Sequence, residues 1–260
     1  MNADSDEGNR YSGVFDQMKQ TTRDGGSVRI AKEELKVART NPLTLAAFNG
    51  EIIKIQSLLD TGANPNIQLK GETTPLACAA GNGHIDVVQL LLDHGAQVNA
   101  AKGAALNRAA DGGHLELVMV LLNAGAEVES RNSGASRHSS FMSDYSALEY
   151  AVHGGVGLIV KTLLSHGADP NGGTGSALRM AATHGHLEIV SELLARGADV
   201  TAANKYGYTA LGFAAVKGHA AVVQTLLDNG AEVTQAVLRV AEAQPSNEAI
   251  IHILRRGGAA

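Results

Sequence analysis

The chain has 260 residues, of which 44% are apolar and 18% charged, and its formal net charge is −5. Its single cysteine, Cys78, excludes a disulfide framework and a cysteine-based zinc site, and apolar stretches broken within about ten residues exclude a membrane span. Because the polar N-terminus lacks a secretion signal and no block of basic residues is present, we expect a cytoplasmic protein, with the nucleus as an alternative, that binds neither membrane nor nucleic acid.

Residues 1–40 come first and carry no repeat. We expect residues 1–26 to be a flexible segment, because they are polar and partly acidic. Residues 27–40 are predicted to form a capping helix over the first repeated unit, because their apolar residues recur at helical spacing on one face. These apolar residues are Val28, Ala31, Leu35 and Ala38.

From residue 41 to residue 260, one pattern recurs seven times. Each copy contains Leu-Leu or Ile-Leu, two variable residues and a glycine, with a leucine nineteen residues before that glycine. Self-similarity of this kind predicts an array of stacked structural units. The predicted units start near residues 41, 74, 104, 146, 176, 209 and 236.

Each unit is predicted to be a pair of short helices. In the second unit the first helix runs from Leu76 to Ala80, Gly83 interrupts it, and a second helix with one apolar face follows. Gly95 stands where that helix would end in a left-handed residue, a conformation that glycine adopts at little cost. Two helices this short cannot bury their apolar faces alone, so neighbouring units must stack.

The connections between units vary in length. The leucines of successive units are 33, 30, 42, 30, 33 and 27 residues apart. The step of 42 predicts an inserted loop at 129–145, which is rich in serine and has Phe141, Met142 and Tyr145 near its end. A long loop with apolar residues of its own is commonly functional or disordered. Its Arg137–Ser140 stretch is also a weak match to a kinase site.

The second unit carries the most specific motif. It reads Thr-Pro-Leu-Ala-Cys-Ala-Ala-Gly-Asn-Gly-His at 74–84 and Leu-Leu-Leu-Asp-His-Gly-Ala-Gln-Val-Asn-Ala at 90–100. The pattern resembles the ankyrin repeat family, and the resemblance covers residues 41–260. It implies an all-α solenoid of helix-turn-helix units with short β-hairpin fingers, in which the fingers and first helices form a concave groove. It also implies a protein that binds other proteins, catalyses nothing itself and uses no cofactor.

The sequence departs from the family pattern in two ways. The proline of the family's Thr-Pro-Leu-His survives only at Pro42 and Pro75, and the histidine is absent from all seven units. The histidine positions hold Thr44, Ala77, Asn107, Glu149, Arg179, Gly212 and Arg239. We therefore expect the turn hydrogen bonds of that histidine to be lost or made by other groups. The last unit has Gln244–Asn247 in place of Gly-His and is predicted to be a degenerate, polar cap.

Residues that could do chemistry have structural interpretations in this array. Cys78 occupies a core position of a first helix, where cysteine behaves as a small hydrophobic residue. Gly172–Gly175 lies between two units and is interpreted as a shortened finger. His153 and His184 face the groove in this family, but without acidic or cysteine companions they predict no metal site. Four histidines share a Gly-His position and are predicted to satisfy turns: His84, His114, His186 and His219.

The resemblance places the partner-binding residues in the groove, on one finger and on the inserted loop. Arg108 is expected to snorkel into the groove or to pair with Asp111. Tyrosines are enriched among residues that carry binding energy, although Tyr206 could instead pack on the next finger. The groove residues are Phe48, Asn49, Asn82, Arg108, Asp111, His153, Thr183, His184 and Lys217, the finger residues are Lys205, Tyr206 and Tyr208, and the loop residues are Phe141, Met142 and Tyr145.

These features favour a non-catalytic protein–protein interaction module or adaptor that is monomeric when isolated. A second hypothesis is a permanent structural subunit of a large assembly, with residues 1–26 threaded across a neighbour. A third is the regulatory arm of an enzyme, for which the sequence offers no catalytic constellation. The identity of the partner protein does not follow from the sequence.

Overall fold

The computed structural model describes residues 40–70, 73–131, 145–244 and 247–257, except for the side chains of residues 174–176. Residues 1–39, which hold the predicted flexible segment and most of the predicted capping helix, lie outside this range. The helices of the described residues are α1 (Pro42–Asn49), α2 (Ile52–Asp60), α3 (Pro75–Gly81), α4 (Ile85–Asp93), α5 (Ala100–Asp111), α6 (Leu115–Asn123), α7 (Ala147–His153), α8 (Gly157–Ser165), α9 (Gly172–His184), α10 (Leu187–Ala195), α11 (Ala210–Lys217), α12 (Ala220–Asp228), α13 (Gln235–Glu242) and α14 (Glu248–Gly257).

The helices form seven pairs that stack in chain order. Each first helix packs against the first helices of the neighbouring pairs, and each second helix packs against the next second helix. One apolar core runs through the stack from Leu43 to Leu254. The all-α class and the paired helices predicted from the repeat are therefore confirmed. Among the described helices, none is both long and apolar enough to cross a lipid bilayer.

Residue size decides how closely the units approach. The paired alanines of the first helices, such as Ala46 and Ala47, are fully buried, which lets one first helix lie close to the next. Leucines of the second helices fill the space between pairs, and burying one leucine side chain contributes about 1.5–3 kcal/mol. The fully buried leucines of this kind are Leu91, Leu117, Leu121, Leu163, Leu193, Leu226 and Leu254.

Histidines join neighbouring units through backbone carbonyls. The Nε2 atoms of His84, His114 and His219 lie 3.1, 3.2 and 3.1 Å from the carbonyl oxygens of Phe48, Gly81 and Thr183 in the preceding unit. Because a carbonyl only accepts, each Nε2 carries the proton and donates it. Gly50, with φ of 74°, lies so close beneath the ring that a Cβ there would be 2.7 Å from His84. The structural interpretation of these three histidines is confirmed, although each bond joins two units rather than closing one turn.

At three boundaries between units, another residue replaces the histidine or the histidine does not complete its hydrogen bond to the carbonyl. Asn247 of the last unit donates from Nδ2 to the Ala215 carbonyl at 2.7 Å and is 3% exposed, so a buried amide replaces the imidazole. Val156 of the fourth unit has an apolar side chain that cannot donate. His186 lies against Gly155 as the other histidines lie against their glycines, but its buried Nε2 does not reach hydrogen-bond geometry with any described residue. The fourth unit therefore lacks the link on one side and has at most a weak one on the other.

Other groups replace the family's turn histidine. Asn107, at the histidine position of the third unit, donates to the Ser130 carbonyl at 3.3 Å. Glu149, at that position of the fourth unit, completes a capping box with Ser146. Side chains also accept hydrogen bonds from backbone N–H groups at the starts of α1, α3, α7, α11 and α13, and these caps are Asn41, Thr74, Ser146, Thr209 and Thr234.

The connections before the third and fifth units lead directly into a helix. Helix α5 starts with a left-handed turn, in which φ is 52°, 56° and 68° at Ala101, Lys102 and Gly103. Helix α9 starts at Gly172, with φ of 73° at Gly173. The interpretation of Gly172–Gly175 as a shortened finger is therefore wrong, because a connection this short enters the helix without forming a hairpin. In the described residues, β pairing outside the helices is a single bridge between Leu69 and Thr73.

Candidate partner-binding surface

The groove residues occupy equivalent positions on successive units. Phe48, Asp111, His153 and Thr183 each stand five residues after the leucine of their unit, and Asn49, Asn82, His184 and Lys217 stand six residues after it. Because the first helices stack in order, these residues follow one another along one surface, here called the first-helix row. Asn49, Asn82, Asp111 and His184 are exposed, and Phe48, His153, Thr183 and Lys217 are partly exposed. The row is therefore accessible to a partner.

Arg108 spans two units beside the row. Its Nη2 lies 3.5 Å from Thr73 Oγ1, and its Cβ would be 3.2 Å from a Cβ placed on Gly81. Its charge also acts on Tyr150: burial and then the Asp111 charge raise the pKa of Tyr150 to about 12, while Arg108 opposes this shift. Arg108, Asp111 and Tyr150 therefore form one electrostatic neighbourhood. Arg108 Nη1 is buried although the residue as a whole is partly exposed, so the expectation that Arg108 snorkels into the groove or pairs with Asp111 stays a prediction.

The described start of the inserted loop is held by charged groups. Arg131 Nη1 lies 3.1 Å from Glu149 Oε2, which also accepts from the Ser146 N–H at 2.9 Å. Glu129 Oε1 accepts from the Asp169 N–H at 2.9 Å. These bonds tie the chain before residue 132 to the fourth unit and to the connection that follows it.

The described end of the loop is held by an aromatic contact. The ring of Tyr145 meets the ring of Tyr150 edge-on, with centroids 5.7 Å apart. Burial, followed by the Glu149 charge, raises the pKa of Tyr145. Phe141 and Met142, the other predicted loop residues, lie outside the described residues. Both described ends of the loop are thus in contact with the fourth unit.

Two buried charges beneath the row are absent from the predicted site. Glu149 is 3% exposed and Arg179 is 7% exposed. Burial lowers the pKa of Arg179 and the Glu149 carboxylate acts against that shift, so the two charges interact across the fourth and fifth units. A signal was present in the sequence, because the histidine position is uncharged in the first three units and then holds an acid followed by a base.

The predicted finger is a tight turn organised by one asparagine. Asn204 Oδ1 accepts from the N–H groups of Tyr206 and Tyr208, both at 3.0 Å, and Gly207 supplies a φ of 81°. Tyr206 is 64% exposed, and Lys205 Nζ lies 5.0 Å from its ring centroid. Tyr208 is half-buried and meets Phe213 edge-on at 5.9 Å. The turn therefore presents Tyr206 to solvent and uses Tyr208 to attach the finger to α11.

Three histidines from the fourth and fifth units are in contact and are here called the histidine cluster. His153, the last residue of α7, meets His184, the last residue of α9, edge-on with ring centroids 5.3 Å apart. His184 stacks on His186, which precedes α10, at 5.6 Å with an angle of 10° between the rings. Burial, followed by the charges of the other histidines, lowers the pKa of His153 and of His186. The His153 backbone opposes the shift of the His186 pKa without reversing it.

The described residues do not offer a metal site. Within 40–70, 73–131, 145–244 and 247–257, no group of three or more His, Cys, Asp and Glu side chains is arranged to hold a metal ion. Cys78 is fully buried, as expected of a core cysteine. The surface is thus built from contact residues of mixed charge and aromatic character.

Known proteins resemble this chain over most of the stack. A family model described as three copies of the ankyrin repeat matches residues 43–132 and again residues 148–236. Among curated proteins, the putative ankyrin repeat protein R886 of Acanthamoeba polyphaga mimivirus is 41% identical over 49 residues, which are 19% of this chain and 38% of that protein. The chain thus matches well under half the length of that relative.

Solved structures extend the similarity to most of the chain. The ankyrin repeat domain of human ASB11 superposes with a TM-score of 0.69 at 25% identity, covering 84% of this chain and 97% of that domain. The ankyrin repeat domain of Bcl-3, described as a unique member of the IkappaB protein family, superposes with a TM-score of 0.66 at 28% identity, covering 83% and 98%. The three chains therefore share one fold.

Proposed function

The chain belongs to the ankyrin repeat family, whose fold generally mediates protein–protein interactions, and from that premise we propose that it is a binding module for a partner protein. The partner lies along the first-helix row, contacts the finger at Tyr206 and is gripped by the inserted loop. The family is typically non-catalytic, and the module does its work by binding alone.

One observation carries this proposal. Tyr206 is a large aromatic residue that is 64% exposed, yet its backbone is held by the Asn204 side chain. Because its backbone is already held, Tyr206 loses less conformational freedom on binding than a residue of an unstructured loop, and tyrosines are enriched among residues whose truncation costs about 2 kcal/mol or more of affinity. A specific contact with the row, finger and loop together would bury on the order of 1,600 Å² in total.

Site-specific photo-crosslinking of the full chain tests the proposal. A benzophenone side chain is placed at Tyr206 or at Lys217, and the matched control places it at Gln224, which is exposed on the second helix α12. We expect the first two positions to crosslink the same protein from the native source and Gln224 not to crosslink it. Equal crosslinking from Gln224 would place the partner on the second helices and contradict the proposal.

The role of the inserted loop is tested separately. Deletion of residues 132–142 spares Arg131 and Tyr145, so both anchors remain. We expect weaker binding of the crosslinked partner, with helical circular dichroism and a cooperative melting transition retained. Unchanged affinity would remove the loop from the proposed interface while leaving the row and the finger in it.

The proposal also includes the cellular compartment and the oligomeric state of the protein. Cys78 is the single cysteine of the chain and is fully buried, which suits a reducing compartment such as the cytoplasm. We propose that the isolated chain is a monomer, and light scattering would check this by returning the mass of one chain.

A further inference from the structure

The first-helix row changes charge between the third and fourth units. The third unit contributes Asp111, whereas the next three units contribute His153, His184 and Lys217, and neither row position of those units holds an acid. The chain as a whole carries a net charge of −5. A local run of basic side chains in an acidic protein is complementary to a negatively charged ligand.

Hydrogen bonding determines the tautomer of the His184 ring. Its Nδ1 lies 2.9 Å from the Met180 carbonyl, and a carbonyl only accepts, so Nδ1 keeps its proton. Nε2 is then a lone pair in the neutral ring and an N–H donor in the cation. His184 is exposed. An anion in solution can therefore reach a ring that gains a donor when it is protonated.

The charges around the cluster come from four packed elements. Asp111 ends α5 one unit before His153, and Lys217 ends α11 one unit after His184. Glu188 lies in the first turn of α10, and His219 precedes α12; both act on His186, in opposite directions. Burial dominates these effects, since it is the largest cause of the lowered pKa of His153 and of His186. His153 and His186 are therefore harder to protonate than an ordinary histidine, and they gain positive charge only as the pH falls below about 6.5.

We propose that the histidine cluster, together with Lys217, binds an acidic segment of the partner protein, a run of Asp or Glu side chains, and that binding takes up a proton. This proposal rests on the function proposed above and names the chemistry of the partner. A carboxylate accepts from protonated His184 at Nε2 and is attracted by Lys217. The anion favours the charged ring, so affinity falls as the pH rises, by up to about tenfold per pH unit for one proton.

Nuclear magnetic resonance of the full chain tests this without a known partner. The probe is an acetylated, amidated tetraglutamate peptide, which keeps its charge between pH 6.0 and 7.5 because both values lie far above the glutamate pKa of about 4.3. We expect saturable shifts of the His153 and His184 ring signals at pH 6.0, with affinity at least fivefold weaker at pH 7.5. Tetraglutamine should cause no such shifts.

Matched histidines serve as internal controls. His94 and His166 are exposed, and each Nδ1 bonds to a carbonyl four residues earlier, at 2.9 and 2.8 Å, as in His184. They lie in the turns after α4 and α8, away from the row. Their signals should stay in place while those of the cluster move. Equal shifts at His166 would mean unspecific attraction and would overturn the proposal.

Variants complete the test. We expect His184→Gln to weaken tetraglutamate binding at pH 6.0 at least fivefold and to flatten its pH dependence, Lys217→Gln to weaken it at both pH values, and His166→Gln to change nothing. Absence of binding at pH 6.0, or shifts with inorganic phosphate but not with tetraglutamate, would overturn the proposal. Crosslinking from Tyr206 would be unaffected by either outcome, so this proposal can fail while the proposed function stands.

Discussion

Gly103 combines a left-handed backbone conformation with very close packing. Its φ is 68°, and a Cβ there would lie 2.5 Å from Ser130 Cβ. We expect Gly103→Ala to lower the free energy of unfolding by about 3 kcal/mol, because left-handed backbone costs an alanine about 1–2 kcal/mol and overpacking costs about 1–3 kcal/mol more. Gly125→Ala is the control, since Gly125 has φ of 87° and open space around it. Urea denaturation should give Gly125→Ala only the smaller, backbone part, and equal losses would contradict the argument.

Glu149 is the second residue with a measurable individual role. We expect Glu149→Gln to lower the free energy of unfolding by about 2 kcal/mol, because Glu149 is the buried partner of its ion pair with Arg131 and the substitution removes its negative charge. Glu242→Gln is the control, since Glu242 and Arg255 form an exposed pair at 2.9 Å and should contribute little. Similar losses from both variants, measured by urea denaturation, would show that burial of the pair does not matter.

The position of Glu149 in the repeat is visible in the sequence, but its partners are not. The repeat fixes the spacing within a unit, so the sequence alone assigns the residues of the first-helix row. The contact of Arg131 with Glu149 crosses the inserted loop, whose length has no repeat to fix it. The histidine cluster does not follow from the sequence for a similar reason. The Gly-His position predicts only a turn for His186, and its ring contact with His184 depends on the packing of α9 and α10.

Among the helices, α2 differs from the other second helices because no unit within the described residues precedes it. Ile53 is 85% exposed and Ile52 is 41% exposed, whereas Ile85 and Leu115, at the position of Ile52 in the next units, pack against the core. We propose that residues 27–40 form the missing neighbour and cover this face with their apolar side. Thr40 closely precedes the start of α1, so the segment is joined to the same unit as the surface that it would cover.

A double-mutant cycle in the full chain tests this cap. We expect Leu35→Ala and Ile53→Ala to couple by about 1 kcal/mol in the free energy of unfolding, because contacting apolar residues do not act independently. Leu158 stands at the position of Ile53 in the fourth unit and is 67% exposed. Leu35→Ala should therefore show no coupling with Leu158→Ala. Zero coupling in both pairs would leave the α2 face without this neighbour.

The starts of helices could be predicted only where the residue type favours the backbone conformation that the structure has there. Thr74, Ser146 and Thr209 precede helices as caps, and their residue type favours that position. The left-handed turn at Ala101 and Lys102 carries no such signal, because alanine and lysine favour right-handed helix. Its cause is tertiary: the connection before α5 is too short to make a finger, so the chain turns within three residues.

For the whole molecule, the histidine cluster predicts that stability depends on pH. In the folded chain, the pKa values of His153 and His186 lie below the ordinary 6.5. At a pH between the folded and the unfolded pKa of these groups, the unfolded chain therefore binds more protons than the folded chain. The free energy of unfolding should therefore be highest near pH 7.5 and decrease as the pH falls through 6.5 to 5.5. His153→Gln should flatten this dependence, as measured by urea denaturation, and His166→Gln should not. A wild-type chain that is more stable at pH 5.5 than at pH 7.5 would contradict this prediction.

The weakened carbonyl links of the fourth unit have a consequence for the motion of the array. Val156 cannot reach back to the third unit, and His186 of the fifth unit falls short of a full hydrogen bond to the fourth. Units that share fewer bonds with their neighbours open more often, so the backbone amides of α7 and α8 should exchange with deuterium faster than those of α3, α4, α11 and α12. A ligand seated across the fourth unit would slow that exchange, and the middle of the stack would then report binding more sensitively than either end.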